Sequence, residues 1–162
     1  MKQILIVRHA KSSWAIPGQE DFDRPLNDRG HRDAPMMAER VHKKEISIDG
    51  FVSSPAKRAL TTAQYFAKEY GVPQKDIILF KELYHAMPGA FLDVICRLDD
   101  GLETIALFSH NPGITAFANI LTDARIDDMP TCAVFAVKTS ITHWKDFPGA
   151  KKTFWFFDYP KS

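Results

Sequence analysis

The stretch ILIVRHAKSS, residues 4–13, decides how the rest of the chain is read. Four apolar residues, Ile4 to Val7, are too few for a buried helix, and the run matches an interior strand of a sheet covered on both faces. The strand then stops on Arg8 and His9. In open α/β sheets ligands bind outside the carboxyl ends of the strands, so these two side chains are expected on the rim where chemistry is placed. A surface Arg-His pair that merely ends a strand is the plain alternative.

Further strand candidates are Gly50 to Ser53, Ile77 to Leu83, Thr104 to Ser109, Ala133 to Lys138 and Thr153 to Asp158, beside Gln3 to Val7 itself. Helical stripes fall between most of them. Ala34, Met37, Ala38 and Val41 mark one, with Pro35 expected in a first turn or at a kink. Ala59, Leu60, Ala63, Phe66, Ala67 and Tyr70 mark a second, ended by Gly71 and Pro73. Phe91, Val94, Ile95 and Leu98 give a third, and Ile114, Phe117, Ala118 and Leu121 a fourth. Strands alternating with helices predict an α/β three-layer sandwich with a mainly parallel central sheet. No helical pattern separates the last two strands, so they are expected to pair antiparallel. The aromatic run Phe154 to Phe157 reads as a core strand.

At 162 residues the chain fits a single domain, 1–162, able to bury about two-thirds of its unfolded surface. Twenty-one Lys and Arg balance 20 Asp and Glu, with no basic run to follow a nucleic-acid backbone or an anionic membrane. Nucleic acid and membrane are therefore not expected partners. Cys96 and Cys132 lack metal-ligand spacing and read as reduced core residues, which favours a cytoplasmic location. The first apolar run is too short for a signal peptide.

Two more clusters repeat the strand-end placement. In SSPAKRALTTA, Ser53 and Ser54 end a strand, Pro55 suits the first position of a helix, and Arg58 falls in its opening turn, where it can grip two oxygens of an anion. In IALFSHNPG, His110 ends another strand, and a helix is expected to begin near Pro112 or Gly113. Two histidines and two arginines at three strand ends would share one rim. Adjacent arginines oppose a divalent cation and no HExxH pair exists, so neither a metal nor a cofactor is expected. A cationic pocket instead suits a phosphoryl dianion, whose transfer requires positioning and charge stabilisation. An imidazole can take that group as a nucleophile. The polar loop from Ser12 to Asn27 follows the Arg-His pair directly and has the length of a functional lid.

The motifs LIVRHAKSSW, DFDRPLNDRG, SSPAKRALTTA, LYHAMPG and HNPG, in this order, resemble those of the histidine phosphatase superfamily, in its SixA-like phosphohistidine phosphatase branch. The resemblance implies a phosphoglycerate-mutase-like fold, no metal, His9 as the phosphorylated nucleophile, Arg8 and Arg58 on the phosphoryl oxygens, and His110 stabilising the transferring group. Ser12 and Asn111 are expected to join them in binding substrate. Ala10 departs from the superfamily's Arg-His-Gly signature in a way this branch tolerates. Larger members supply a carboxylic acid that protonates the leaving oxygen; Glu82 lies in the right region for it. The implied activity is hydrolysis of phosphohistidine in proteins. A phosphomonoesterase for small phosphorylated metabolites and a non-catalytic phosphate-binding module are the alternatives, and the oligomeric state is left open.

Overall fold

The computed structural model describes residues 1–161. Its strands are β1 (Lys2–Arg8), β2 (Gly50–Ser53), β3 (Ile78–Leu79), β4 (Thr104–Ser109), β5 (Val134–Thr139) and β6 (Lys152–Asp158). Its helices are α1 (Asp28–His42), α2 (Lys57–Glu69), α3 (Pro88–Cys96) and α4 (Gly113–Leu121). The six strands form one sheet in the order β3-β2-β4-β1-β5-β6. The first four in that order run parallel, while β5 pairs antiparallel with both β1 and β6.

Alternation along β1 shows why this is a three-layer α/β sandwich. Ile4 and Ile6 pack into one core with Phe91, Val94, Ile114 and Phe117 from α3 and α4. Leu5 and Val7 pack into the other with Ala34, Met37, Ala63 and Phe66 from α1 and α2. A strand buried on both faces must be apolar at every position, which is what the opening run shows. Fully burying one such side chain contributes about 1.5–3 kcal/mol.

Four local expectations need correction. The strand expected over Ile77 to Leu83 is two residues long, because β2 ends at Ser53 and offers partners only to Ile78 and Leu79; Lys81–Leu83 then turn as a 3-10 helix. Pro35 lies in the interior of α1, not in its first turn. The helix after Pro55 begins at Lys57, with Ala56 extended at its N-cap. The run Phe154 to Phe157 forms the sheet's edge and is only partly covered, Phe154 being exposed.

Asn27 caps α1 by accepting a hydrogen bond from the Gly30 N–H at 2.9 Å. A Cβ at Gly30 would run into the Lys11 carbonyl and Leu26, so this position lets α1 approach the chain just past His9.

Candidate active site

Because β1, β4 and β2 are parallel neighbours, their carboxyl ends open on the same rim. Arg8 is in register with Ser109, so His9 and His110 leave adjacent strands side by side. Their ring centroids are 5.2 Å apart. Arg58 reaches the same place from the second residue of α2. Arg8, His9, Arg58 and His110 all line one cavity of about 240 Å³. That is smaller than the usual drug-sized pocket and of a scale to take a phosphoryl group.

His9 is held tightly. Its backbone N–H donates to the Ser109 carbonyl at 3.1 Å, and the Cys132 N–H donates to the carbonyls of both Arg8 and His9 at 3.0 Å. On the far side, the Ala10 N–H donates to Thr62 Oγ1 at 3.0 Å, tying the turn after β1 to α2. The ring nitrogen Nδ1 lies 2.7 Å from the Ala10 carbonyl oxygen. A carbonyl only accepts, so Nδ1 carries the proton and the Nε2 lone pair is free. Burial depresses the His9 pKa to about 3; the Ala10 hydrogen bond opposes the shift and the charges of Arg58, Arg8 and Arg24 reinforce it. The imidazole is therefore neutral and nucleophilic at physiological pH.

Burial, followed by the neighbouring His9 and Arg58, also lowers the basicity of His110. Arg8 anchors one terminal nitrogen on the Met129 carbonyl at 2.7 Å. Arg58 donates to the carbonyl and the carboxylate of Asp21. Desolvation alone would raise the Asp21 pKa, yet hydrogen bonds from Tyr84 and Arg58, together with the Arg58 charge, hold it well below the carboxylate range. It is an anion, not a proton donor.

Ser12 and Asn111 also line the cavity, but protein partners engage them. Ser12 Oγ accepts from Arg24 at 2.6 Å. Asn111 donates to Asp128 at 2.7 Å and accepts from Thr115 at 2.6 Å, which fixes the turn after His110. Glu82 is not brought to the cavity. It sits on an exposed 3-10 turn paired with Arg97, whose hydrogen bond lowers its pKa.

Lys11, Trp14, Arg24 and Thr131 complete the lining, and sequence reasoning had not placed them there. Arg24 is buried and makes contacts to Ser13, Asp21 and Ser12, with its guanidinium 3.3 Å from the centre of the Trp14 ring. Its position inside the DFDRPL motif was the available signal. The Ser12–Asn27 loop is thus pinned from within as well as bridged at its ends, where Ser12 pairs with Leu26. The cavity wall carries four cationic side chains and no carboxylate. Among the described residues no group of three or more His, Cys, Asp or Glu is arranged to hold a metal ion, and no helix is long and apolar enough to cross a membrane.

Residues 4–87 match the family model of the histidine phosphatase superfamily (branch 1). An uncharacterized protein of Mycobacterium leprae is 32% identical over 119 residues, covering 72% of this chain and 71% of the relative. The structure of a protein described as a SixA phosphohistidine phosphatase, from Agrobacterium tumefaciens, superposes with a TM-score of 0.83 at 25% identity over 98% of both chains. A protein histidine phosphatase SixA complexed with tungstate shares the fold, with a TM-score of 0.82 at 21% identity over 98% of this chain and 97% of the other.

Proposed function

The chain belongs to the histidine phosphatase superfamily, and from that premise we propose that it is a metal-independent protein phosphohistidine phosphatase working through a phosphorylated His9. The observation that carries the reading is the His9 ring itself: neutral, with Nδ1 committed to Ala10 and Nε2 free, on the wall of a small cavity with Arg8, Arg24 and Arg58.

In the proposed reaction His9 Nε2 attacks the phosphorus of a phosphohistidine whose distal ring nitrogen carries a proton, the bond from phosphorus to that ring breaks, and the ring departs as neutral imidazole, keeping the electron pair of the broken bond on the freed nitrogen. Water then attacks phospho-His9, releasing orthophosphate and restoring the imidazole. Arg8, Arg58 and His110 stabilise the charge on the transferring oxygens, which preorganised donors do without reorganising. Imidazolium has a pKa of about 6.5, so near neutral pH the distal nitrogen takes its proton from solvent and the ring leaves as a weakly basic imidazole without a strong acid beside it. A serine alkoxide does not. With Glu82 on the surface, the cavity wall offers no carboxylic acid for such a leaving group, and this disfavours the phosphomonoesterase alternative. The relatives described as phosphohistidine phosphatases support the same substrate class. Both cysteines are free, which suits the reducing cytoplasm we assign to it.

The test compares kcat/KM on a phosphohistidine peptide and a phosphoserine peptide, with and without a chelator. We expect the phosphohistidine peptide to lead by about 10²–10⁴, the usual worth of a general acid, with no chelator effect. Comparable values would favour the phosphomonoesterase, and activity lost to chelator and restored by zinc would overturn the metal-independent mechanism.

A further inference from the structure

Two buried side-chain nitrogens have no hydrogen-bond partner among the described residues: Arg8 Nε and His110 Nδ1. Both belong to side chains that line the phosphoryl cavity. Buried polar groups are rarely left unpaired in folded proteins, so an orphan on each of two side chains that line one cavity points to a ligand that engages them.

What decides whether His110 Nδ1 is a donor is the group behind the ring. His110 Nε2 lies 2.8 Å from the hydroxyl of Ser54, a residue with no solvent exposure. The Ser54 oxygen also accepts the Ala56 N–H at 3.2 Å. Its backbone is fixed as well, since the Ser54 N–H donates to the Phe108 carbonyl at 3.0 Å and its carbonyl accepts from Ser53 Oγ at 2.8 Å. The hydroxyl is thus immobile next to the imidazole.

His110 is neutral, so one ring nitrogen carries the only proton, and two assignments are open. With the proton on Nε2, the Ser54 oxygen would accept twice, leaving its own hydroxyl proton and the Nδ1 lone pair both stranded in the interior. With the proton on Nδ1, the Ser54 hydroxyl donates to Nε2 and a single orphan remains, the Nδ1–H that a ligand can satisfy. Stranding fewer buried polar groups favours the second arrangement. The hydrogen bond made by one ring nitrogen sets the state of the other.

We propose that Ser54 is a positioning residue that locks His110 as its Nδ1–H tautomer, so that His110 presents a hydrogen-bond donor to the phosphoryl oxygens rather than a lone pair. A lone pair facing those oxygens would repel them. Ser54 acts only through His110: it is fully buried and lies outside the cavity lining. The role given to His110 rests on the phosphatase reading above, whereas the tautomer itself does not.

The experiment labels the histidine rings with ¹⁵N and reads, by long-range ¹H–¹⁵N correlation on the resting protein, which His110 nitrogen carries the proton. We expect Nδ1; a proton on Nε2 overturns the proposal and leaves the phosphatase reading intact. In Ser54→Ala the proton should redistribute toward Nε2, and orthovanadate affinity and turnover should both fall by about 10–100-fold, the loss usual when the partner orienting a functional histidine is removed. Retention of the Nδ1–H form with full vanadate affinity in that variant also overturns it. Should Ser54→Ala fail to fold, the wild-type spectrum decides the tautomer alone. Absence of phosphatase activity in a protein that has the Nδ1–H tautomer and binds vanadate would overturn the function, not the role of Ser54.

Discussion

Arg58 and Asp21 are joined at two points: Arg58 Nη1 donates to the Asp21 carbonyl at 2.6 Å, and Nη2 donates to its carboxylate at 2.9 Å. The same carboxylate accepts from Tyr84 at 2.6 Å and from Arg24 at 3.1 Å, so one anion orients two of the cavity's arginines. Asp21→Ala is expected to lower turnover by up to about a hundredfold through misplacement of Arg58. Tyr84→Phe removes one donor to the carboxylate and should cost less. Steady-state kinetics on both variants check this, and full activity in Asp21→Ala would show that Arg58 needs no such support.

His9→Ala should abolish turnover while leaving the fold intact, and a brief pulse of labelled substrate should place an acid-labile, alkali-stable phosphoryl group on His9 of the wild type. Label on a serine or cysteine would sink the nucleophile assignment.

Arg58→Ala should lower turnover about 10²–10³-fold, the usual loss for one charge-stabilising donor. Arg58→Lys should recover little, because an ammonium cannot span two oxygens as a guanidinium does. Kinetics of the lysine variant decide between a two-point grip and diffuse charge.

The pH dependence follows from His9. Its pKa of about 3 lies below the unfolded value near 6.5. Between these values the unfolded chain binds more protons than the folded one, so stability rises with pH through that window, is complete above about 6.5, and declines as pH falls toward 3. Urea unfolding between pH 4 and 8 should show this slope, and it should shrink in His9→Ala, with His110, whose basicity burial also lowers, supplying the remainder. An unchanged slope in the variant would place the titration elsewhere.

Gly30→Ala should be destabilising by about 1–3 kcal/mol, since the new methyl meets the Lys11 backbone and cannot be relieved by turning a side chain. Activity should fall with it, because Lys11 lines the cavity. Thermal unfolding beside turnover measures both effects.

Glu82 separates the two substrate readings. Its carboxylate is on the surface with Arg97, so Glu82→Gln should leave phosphohistidine turnover unchanged. Selective collapse of phosphoserine turnover in this variant would return Glu82 to the site as an acid.

Much of this architecture was legible in the residues because it is encoded locally. The apolar run Ile4 to Val7, the stripe from Ala59 to Phe66 and the polar residues ending each strand fix period, direction and rim, and parallel strands then carry Arg8, His9 and His110 to one edge. The short β3 and the exposed edge of β6 were not legible, because a strand's extent depends on what lies beside it and not on its own residues. The same reason governs the site. Asp21 and Arg58 are 37 positions apart, Ser54 and His110 are 56 apart, and Arg8 and Met129 are 121 apart. Sequence identified the cationic rim and its two histidines. Only the folded chain decided which carboxylate orients the arginines, which carbonyl holds His9, and which hydroxyl stands behind His110, because hydrogen bonds depend on distances of a few tenths of an ångström that no local pattern specifies.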